Sequence, residues 1–282
     1  MTLTLLLAAL FSSSAYAAET WDARITRFEG AVTVFTSEEP KGIAPEEDMP
    51  VDRGDRIVTG KDGTIELALE SESLIEIGPD SDFKLEDLDK KSSWFQLTLG
   101  SMKAKLKALM KGSRMRVRSS GATASVRGTE FAMEVPEEGE THVGVFDEGR
   151  VSVGSDEDED GVTLSPNQET SVLAGKAPEP PQELKRFLPV RERIVHLRER
   201  REAVRARWKS RTQEERASMR RLVHERFREN LKRNPELRKK MKDGVERRKG
   251  DQKEILRKLK EKQKEQRRGQ KIRLKKKPAR NP

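Results

Sequence analysis

Seven cations stand close together between positions 103 and 118, and side chains of this type could bind an anion. They are Lys103, Lys105, Lys107, Lys111, Arg114, Arg116 and Arg118. If the segment is a strand, its cations lie opposite the apolar Met102, Ala104 and Leu106, but the same residues also fit a helix. In either form they predict an anion-binding stripe for an anionic polymer or an acidic partner, or else a solvated outer face.

Five consecutive carboxylates at positions 156–160 form a second cluster with possible chemistry. Carboxylates at this density could hold Ca²⁺, which takes about six to eight oxygen ligands. The spacing is not that of a known calcium loop. We therefore favour a solvated hairpin tip, with a weak divalent-ion site as the alternative.

The third candidate is Arg127-Gly128-Thr129, which interrupts a strand-like stretch. Residues two apart in a strand share a face, and here the apolar positions change from even to odd numbers between Val126 and Phe131. A bulge or tight bend causes such a change, and glycine most readily adopts the positive φ that many bends need. We predict that Gly128 is the pivot of a structural turn, and the alternative is a ligand site at Arg127.

Composition gives little support to catalysis. The 282 residues include three histidines, one tyrosine and no cysteine, so disulfides and thiol chemistry are excluded. We find no nucleophile and base pair, no recognisable frame of paired carboxylates, no phosphate-binding glycine loop and no metal-ligand spacing. We expect a protein without catalytic residues, without a cofactor and without a resident metal.

The chain divides near Pro181 into two parts of opposite charge. From Gln182 onward it has 39 Lys and Arg against 15 Asp and Glu, a net charge of +24, whereas the preceding part carries −15. A basic part of this kind must find counter-charge. The candidates are anionic lipid or lipopolysaccharide, peptidoglycan carboxylates, extracellular nucleic acid bound without sequence specificity, and the acidic part of the same chain.

The first residues, MTLTLLLAALFSSSAYAAET, have the pattern of a secretory signal. An apolar run is followed by serines and small residues, which predicts a signal peptide over residues 1–17 with cleavage after Ala17. The run is too short for a comfortable membrane span. We expect a periplasmic or secreted protein, although no Lys or Arg precedes the apolar run and the true initiator Met could lie upstream.

Residues 23–177 show short segments in which apolar and polar residues alternate, separated by turn signals every 8 to 12 positions. This repetition predicts an all-β domain, either a sandwich, a barrel or a short solenoid. One predicted hairpin pairs Val143 and Val145 with Val151 and Val153.

The order of motifs in this part resembles the FecR domain, the periplasmic sensing domain named after the ferric-citrate regulator. The motifs are VDRGDRIVTGKDGTIELALESESLIEIGPDSDFKLED, FQLTLGSMKAKL, ATASVRGTEFAMEV and HVGVFDEGRVSVG. The Gly54-Asp55, Arg127-Gly128-Thr129 and Glu148-Gly149 turns fall where the family has turns. The resemblance implies a β-rich extracytoplasmic module for protein contact or sensing. Regulators of the family also carry a cytoplasmic segment and a membrane-spanning helix, whereas only a signal sequence precedes the first strand here, so direct transmembrane signalling is not expected.

Beyond a proline-rich linker at 178–190, residues 191–282 read as basic helices with a disordered end. Thr212 and Glu215 form a capping box, and the histidines at 196 and 224 are expected at the surface. Three thin apolar stripes predict a loose antiparallel hairpin or bundle. They comprise Ile194, Leu197, Val204 and Trp208; then Met219, Leu222, Val223, Phe227 and Leu231; then Leu237, Met241 and Val245.

Two functions fit these observations. The first is a non-catalytic envelope protein that binds a protein or glycan through the β domain and attaches to an anionic surface through the basic helices. The second is a periplasmic sensor component of a signal transduction system that acts through a separate membrane partner.

Overall fold

A computed structural model describes residues 19–155 and 161–236, together with Arg238, Lys239, Glu254, Arg257 and Glu261. The predicted signal peptide, the acidic cluster at 156–160 and the third helical stripe lie outside the described residues. The rest is a mostly β N-terminal region followed by helices, as the sequence predicts.

The first seven strands are β1 (Ala23–Glu29), β2 (Val32–Phe35), β3 (Arg56–Thr59), β4 (Thr64–Leu69), β5 (Ser73–Ile77), β6 (Asp82–Asp87) and β7 (Ser92–Lys105). Eight more follow: β8 (Arg114–Arg118), β9 (Ala122–Val126), β10 (Glu130–Val135), β11 (Glu140–Val145), β12 (Val151–Ser155), β13 (Val162–Leu164), β14 (Gln168–Leu173) and β15 (Gln182–Glu183). A 3₁₀ turn (Leu188–Val190) leads into helix α1 (Arg191–Arg207), and helix α2 (Gln213–Arg233) follows.

All fifteen strands form one hydrogen-bonded sheet, which strand β7 divides into two halves. The first part of β7 joins β6 and β8, and its last part joins β5 and β10. At the bend, Gly100 has φ +91, and a Cβ there would lie 2.1 Å from Ser81 Oγ. The front half-sheet runs β2-β3-β6-β7-β8-β9-β12-β13, and the back half-sheet runs β1-β4-β5-β7-β10-β11-β14-β15.

The two half-sheets bury their inner faces in one core. Ile25, Leu67 and Ile75 from the back half-sheet and Ile57, Phe83 and Phe95 from the front half-sheet all belong to it. Successive pairs of strands alternate between the halves, which is why short strands and turns recur so regularly along the sequence.

The predicted pivot at Gly128 is confirmed. Strand β9 lies in the front half-sheet and β10 in the back half-sheet, so the apolar parity changes where the chain crosses between them. Gly128 has φ +111, and a Cβ there would lie 2.3 Å from Ala108 Cα. A residue with a side chain would therefore meet both backbone strain and a steric clash.

The predicted hairpin between Val143-Val145 and Val151-Val153 is wrong. Strand β11 pairs with β10 and β14, whereas β12 pairs with β9 and β13. The Glu148-Gly149 turn carries the chain from the back half-sheet to the front one. Alternation identifies the strands, but it cannot distinguish a hairpin from such a crossing.

Helix α1 packs on the outer face of the back half-sheet. Its Ile194 and Leu197 join a second apolar cluster with Ala68, Leu74, Ala132, Phe146, Leu184 and Phe187. Leu184 and Phe187 come from the proline-rich segment, whose β15 pairs with β14. A Cβ on Gly144 would lie 2.4 Å from the Phe187 ring, so this glycine makes room for the segment.

Helix α2 packs against the β domain through most of the predicted stripe, and Leu222 is the one member of that stripe that is exposed. Val223 lies in the main core and Phe227 packs against it, but Leu222 is 57% exposed. Arg216, Arg220 and His224 are the other buried residues of this helix. We expected the helices to pack on each other, but their buried residues contact the domain because the thin apolar stripes are supplemented by ion pairs with it.

Candidate interaction site between the helices and the β domain

The main candidate site is the interface where arginines of α1 and α2 meet carboxylates of the acidic β domain. Two places on it combine charges from both sides around a buried carboxylate. We call them the Arg220 site, formed by Arg220 with Glu38, Asp52 and Asp55, and the Arg198 site, formed by Arg198 with Lys105, Glu130, Asp147 and Glu148.

At the Arg220 site, one guanidinium binds two carboxylates. Arg220 donates from Nη1 to Asp55 Oδ2 at 2.5 Å and from Nη2 to Asp55 Oδ1 at 2.8 Å. It also donates from Nε and Nη2 to Glu38, at 3.2 and 2.9 Å. Arg220 is 5% exposed and Asp55 is 1% exposed, so water contributes little to the solvation of either charge. Planar guanidinium and carboxylate groups joined in this way form the strongest class of side-chain hydrogen bonds.

The Gly54-Asp55 turn positions the buried carboxylate. Gly54 has φ +90, its N–H donates to Leu85 O at 2.6 Å, and Asp55 O accepts from Leu85 N at 2.9 Å. Asp55 Oδ2 also accepts from the N–H of Asp52 at 2.9 Å. These contacts anchor the turn to β6 and fix the Asp55 side chain beneath α2.

The capping box of α2 fixes the arginine from the other side. Thr212 and Glu215 each accept a hydrogen bond from the other's backbone N–H, as predicted. The helix therefore starts at a defined residue, and Arg216, Arg220 and Val223 share the face turned to the domain because they are spaced four and three apart. Arg216 donates to Trp21 O at 3.0 Å and to Asp52 Oδ1 at 2.7 Å.

Charge pairing shifts the pKa values at this site. The hydrogen bond from Arg220 lowers the pKa of Glu38 to about 2. Burial raises the pKa of Asp55, and the contacts with Arg220 oppose this effect. Burial also lowers the pKa of Arg220, but its hydrogen bonds to Asp55 and Glu38 outweigh it, so that the net shift is upward. Arg220 thus favours the ionised forms of both Glu38 and Asp55.

The segment between the two helices is bound to the same edge of the domain. Arg24 stacks on Trp208, with its guanidinium carbon 4.1 Å from the ring centroid, and donates to Lys209 O at 2.8 Å. Arg24 also pairs with Asp22. The nearby Arg211 pairs with Asp48.

The Arg198 site is built where the Arg127-Gly128-Thr129 and Glu148-Gly149 turns touch. Thr129 Oγ1 donates to Glu148 O at 2.5 Å, and a Cβ on Gly149 would lie 2.3 Å from Thr129 Cβ. This contact places Glu130, the next residue along the chain, beside the second turn. Both turns are therefore structural parts of the same site.

Glu130 is fully buried and is held by two cations. Arg198 donates to both of its carboxylate oxygens, and Lys105 Nζ lies 3.0 Å from Oε1. Arg198 also donates to Asp147 Oδ2 at 2.6 Å, and Lys105 pairs with Glu148. Burial opposes the ionisation of Glu130, but the hydrogen bonds from Arg198 and Lys105 outweigh it and lower its pKa. An open cleft of about 590 Å³ lies beside this site, lined by Lys105, Asp147, Glu148, Arg198, Glu199, Arg201 and Glu202.

Further ion pairs extend the interface along α1. Arg200 donates to Glu66 Oε1 at 3.0 Å, and Glu66 is only 5% exposed. Other pairs between the C-terminal part and the domain are Arg186–Glu134, Arg191–Asp147, Arg193–Glu76 and Arg205–Glu72. The acidic part of the chain thus supplies counter-charge to the basic part.

The structure places the seven cations of the predicted stripe in three parts of the fold, namely the two half-sheets and the connection between β7 and β8. Lys103 and Lys105 lie in the back half-sheet, nearly buried, and pair with Glu76 and Glu130. Lys107 pairs with Glu72, and Lys111 is exposed in the connection after β7. Arg114, Arg116 and Arg118 lie in the front half-sheet on the face opposite the core.

Sequence reasoning missed the residues that make these two sites. Glu130, Asp147, Arg198 and Arg220 were not singled out, and the opposite charges of the two parts were the signal that could have found them. His224 was expected at the surface but is 3% exposed, because it lies beside Arg220 on the face of α2 turned to the domain. Arg127 is exposed, and its carbonyl accepts a hydrogen bond from Leu109 N at 3.0 Å.

Comparison with known families identifies the domain that carries these sites. Residues 55–152, about a third of the chain, match the family described as FecR protein. The matched range begins at Asp55 and includes Glu130, Asp147 and Glu148. The arginines that bind them lie outside it, in α1 and α2.

Comparison with curated proteins found no match. Among solved structures, the chain is similar to two crystal structures from Parabacteroides distasonis ATCC 8503, each described as a "putative anti-sigma factor". Sequence identity is 16% for both, with TM-scores of 0.41 and 0.40. The alignments cover 47% of this chain and 61% of those chains. Among the described residues, no helix has the length and apolar character that a membrane span requires.

Proposed function

We propose that this protein is an extracytoplasmic sensor component of a signal transduction system, which acts without catalysis through a separate membrane partner. The family of the domain supports this proposal, because FecR proteins are envelope-associated sensors. The signal-like N-terminal sequence favours a periplasmic location.

The observation that carries the proposal is the pair formed by Arg220 and Asp55. Asp55 belongs to the FecR domain and Arg220 to the helical part outside it, and each is almost completely buried by the contact. A movement of the Gly54-Asp55 turn would therefore change the contact between Asp55 and Arg220 that holds α2. Such a coupling between a domain and an attached element is what a sensor needs.

The attachment of the helices is suited to reversible release. Few of their apolar residues are buried, namely Ile194 and Leu197 of α1 and Val223 of α2. Ion pairs make up much of the remaining contact between the helices and the β domain. These pairs weaken when one partner is removed or when another charge competes for it. Helices held in this way can leave the domain without unfolding its main core.

Surface attachment through the basic helices receives less support. Many arginines of α1 and α2 that could bind an anionic surface already pair with the domain. They include Arg198, Arg200, Arg216 and Arg220. Binding to an external polyanion would have to replace these contacts. We therefore favour the sensor over the scaffold.

The proposal can be tested with variants that loosen the helices in the cells that produce the protein. Arg198→Ala and Arg220→Ala each remove a buried ion pair, whereas Arg207→Ala and Arg221→Ala change exposed arginines of the same two helices. For a sensor, we expect the first two variants to change a defined set of transcripts that deletion of the gene also changes, and the second two to leave it unaltered. The sensor role is rejected if deletion and loosening leave all transcripts unchanged while the variants accumulate normally in the envelope.

A further inference from the structure

The outer face of the front half-sheet carries an exposed row of polar side chains that the helix interface does not use. Paired positions run across five neighbouring strands as Trp94, Arg116, Ser125, Ser152 and Thr163. Their sequence neighbours Phe95, Val117, Ala124 and Val153 are buried in the core, so the row lies on the opposite face. Each member of the row is partly or fully exposed.

This row is long enough for an extended ligand. Neighbouring strands lie about 4.8 Å apart, so four intervals give a row of about 19 Å. A second row beside it contains Lys84, Gln96 and Arg118 at paired positions, and the next paired residue, Thr123, is buried. The face therefore offers a band of hydroxyl, amide and cationic groups.

One end of the band is an aromatic platform with two cations. The guanidinium carbons of Arg116 and Arg118 lie 4.4 and 4.8 Å from the centroid of the Trp94 ring. Stacking on the indole holds both guanidiniums in place, and the exposed Arg118 can present its N–H groups to a ligand. Arg114 stands on the same face of β8 and is exposed.

We propose that this surface, the Trp94 face, binds a carboxylate-bearing polysaccharide. Guanidiniums bind carboxylates with two parallel hydrogen bonds. The side chains of Gln96, Ser125, Ser152 and Thr163 can each donate to and accept from sugar hydroxyls. The indole of Trp94 contributes by holding the guanidiniums of Arg116 and Arg118 in position. Charge complementarity between this face and an acidic glycan selects the ligand class.

Two other classes of ligand fit the face less well. A protein interface has an apolar core, whereas the row from Trp94 to Thr163 contains one aromatic residue and otherwise polar side chains. Single-stranded nucleic acid stacks successive bases on several aromatic side chains, and Trp94 is the one aromatic residue of the row. The proposal concerns binding alone and does not rest on the sensor role.

The test uses the full chain and a defined oligogalacturonate, measured by calorimetry at 150 mM salt, roughly the physiological ionic strength that screens weak surface attraction. We expect Trp94→Ala and Arg118→Gln each to weaken binding about tenfold or more. Arg207→Gln, an exposed change in α1, serves as the matched control and should stay within about twofold, because non-specific attraction to the basic part is a sum over many charges. A neutral oligosaccharide of equal length should not bind measurably.

Two outcomes would overturn the proposal. In the first, the Trp94 and Arg118 variants bind oligogalacturonate as the unaltered chain does. In the second, poly-glutamate or oligo-dT binds more tightly than oligogalacturonate and loses that affinity in the same variants, which would assign the face to an acidic peptide or to nucleic acid. Because Arg118 is exposed, Arg118→Gln decides the question even if Trp94→Ala perturbs folding, which circular dichroism would detect.

Discussion

Arg220 and Asp55 are 165 residues apart in sequence, yet they form a two-point hydrogen-bonded ion pair that is almost fully buried. The pair joins the first residue of the matched FecR domain to the middle of helix α2. Desolvation of two charges is costly, and the pair is stable only because both partners are hydrogen-bonded, Arg220 also to Glu38 and Asp55 also to the backbone N–H of Asp52. Removing one member therefore has a larger effect than the modest net contribution of the intact pair.

Replacing Arg220 should release α2. In Arg220→Ala, Asp55 remains buried without its cation, which costs about 3 to 5 kcal/mol in comparable cases. Since the helix can detach and let water reach Asp55, we expect faster amide exchange in α2 before any loss of the core strands. Hydrogen exchange resolved by segment would measure this. Arg221→Ala, at the neighbouring exposed position, should change stability by less than about 0.5 kcal/mol, and equal exchange in both variants would contradict the expectation.

Acid should weaken the same contact. The hydrogen bond from Arg220 lowers the pKa of Glu38 from its ordinary value of 4.5 to about 2. A carboxyl with a lowered pKa in the folded state stabilises it above the unfolded value, and this contribution is lost as the pH falls through the lowered one. We expect α2 to become less protected between pH 4.5 and pH 2. In Glu38→Gln, amide protection of α2 should be lower at pH 6 and should depend less on pH between 4.5 and 2. An unchanged pH dependence in this variant would show that Glu38 is not the group responsible.

His224 should give a second pH response at higher pH. Burial and the adjacent Arg220 lower its pKa, while Glu38 and Glu39 act in the opposite direction and Arg228 adds to the lowering. In the unfolded chain His224 binds a proton near pH 6.5, whereas in the folded chain it does so only at lower pH. Attachment of α2 should therefore weaken as the pH falls below about 6.5. The measurement is exchange in α2 between pH 7 and pH 5, with His224→Gln compared with His196→Gln. A response that persists in His224→Gln and disappears in His196→Gln would contradict this account.

Replacing Gly128 by alanine should destabilise the protein more than replacing Gly112, a glycine with a similar backbone conformation. Gly128 and Gly112 both have positive φ, +111 and +90, but a Cβ at Gly112 meets nothing within 4 Å. Gly112→Ala should cost about 1 to 2 kcal/mol from backbone strain alone. Gly128→Ala should cost more, because its Cβ would also clash with Ala108. Urea denaturation of the two variants measures the difference, and equal costs would remove the steric argument.

Gly144 should be required for docking of the proline-rich segment. A Cβ there would lie 2.4 Å from Phe187 Cδ2 and 2.8 Å from Leu184 Cδ1. Gly144→Ala should destabilise the protein by about 1 to 3 kcal/mol through overpacking. If the clash with Phe187 is the cause, combining it with Phe187→Ala should cost less than the sum of the single changes. Strict additivity in denaturation experiments would refute this explanation.

Local patterns were sufficient for several features. The capping box of Thr212, the pivot at Gly128 and the apolar stripe of Ile194 and Leu197 were all predicted, because each depends on residues close together in the chain. Pairing between distant strands was not predictable in the same way. The alternation in β11 and β12 is that of a hairpin, and their assignment to different half-sheets became clear only from the fold.

The buried face of α2 also could not be predicted fully from local sequence patterns. The apolar pattern placed Leu222 inside, but the structure buries Arg216 and Arg220 and leaves Leu222 exposed. A buried arginine is not recognisable from its own segment, since it becomes favourable only when carboxylates such as Asp55 and Glu38 are brought to it.

The amino-acid sequence alone determined that an acidic β-rich domain precedes basic helices, because alternation, turn residues and charge counts are properties of neighbouring positions. Tertiary structure decided which charges meet. It placed Lys105 with Glu130, Arg198 with Glu130 and Asp147, and Arg220 with Asp55, and it left Arg118 on an open face beside Trp94. The physical reason is that an ion pair depends on distance and burial, and both are set by how strands remote in sequence are brought together.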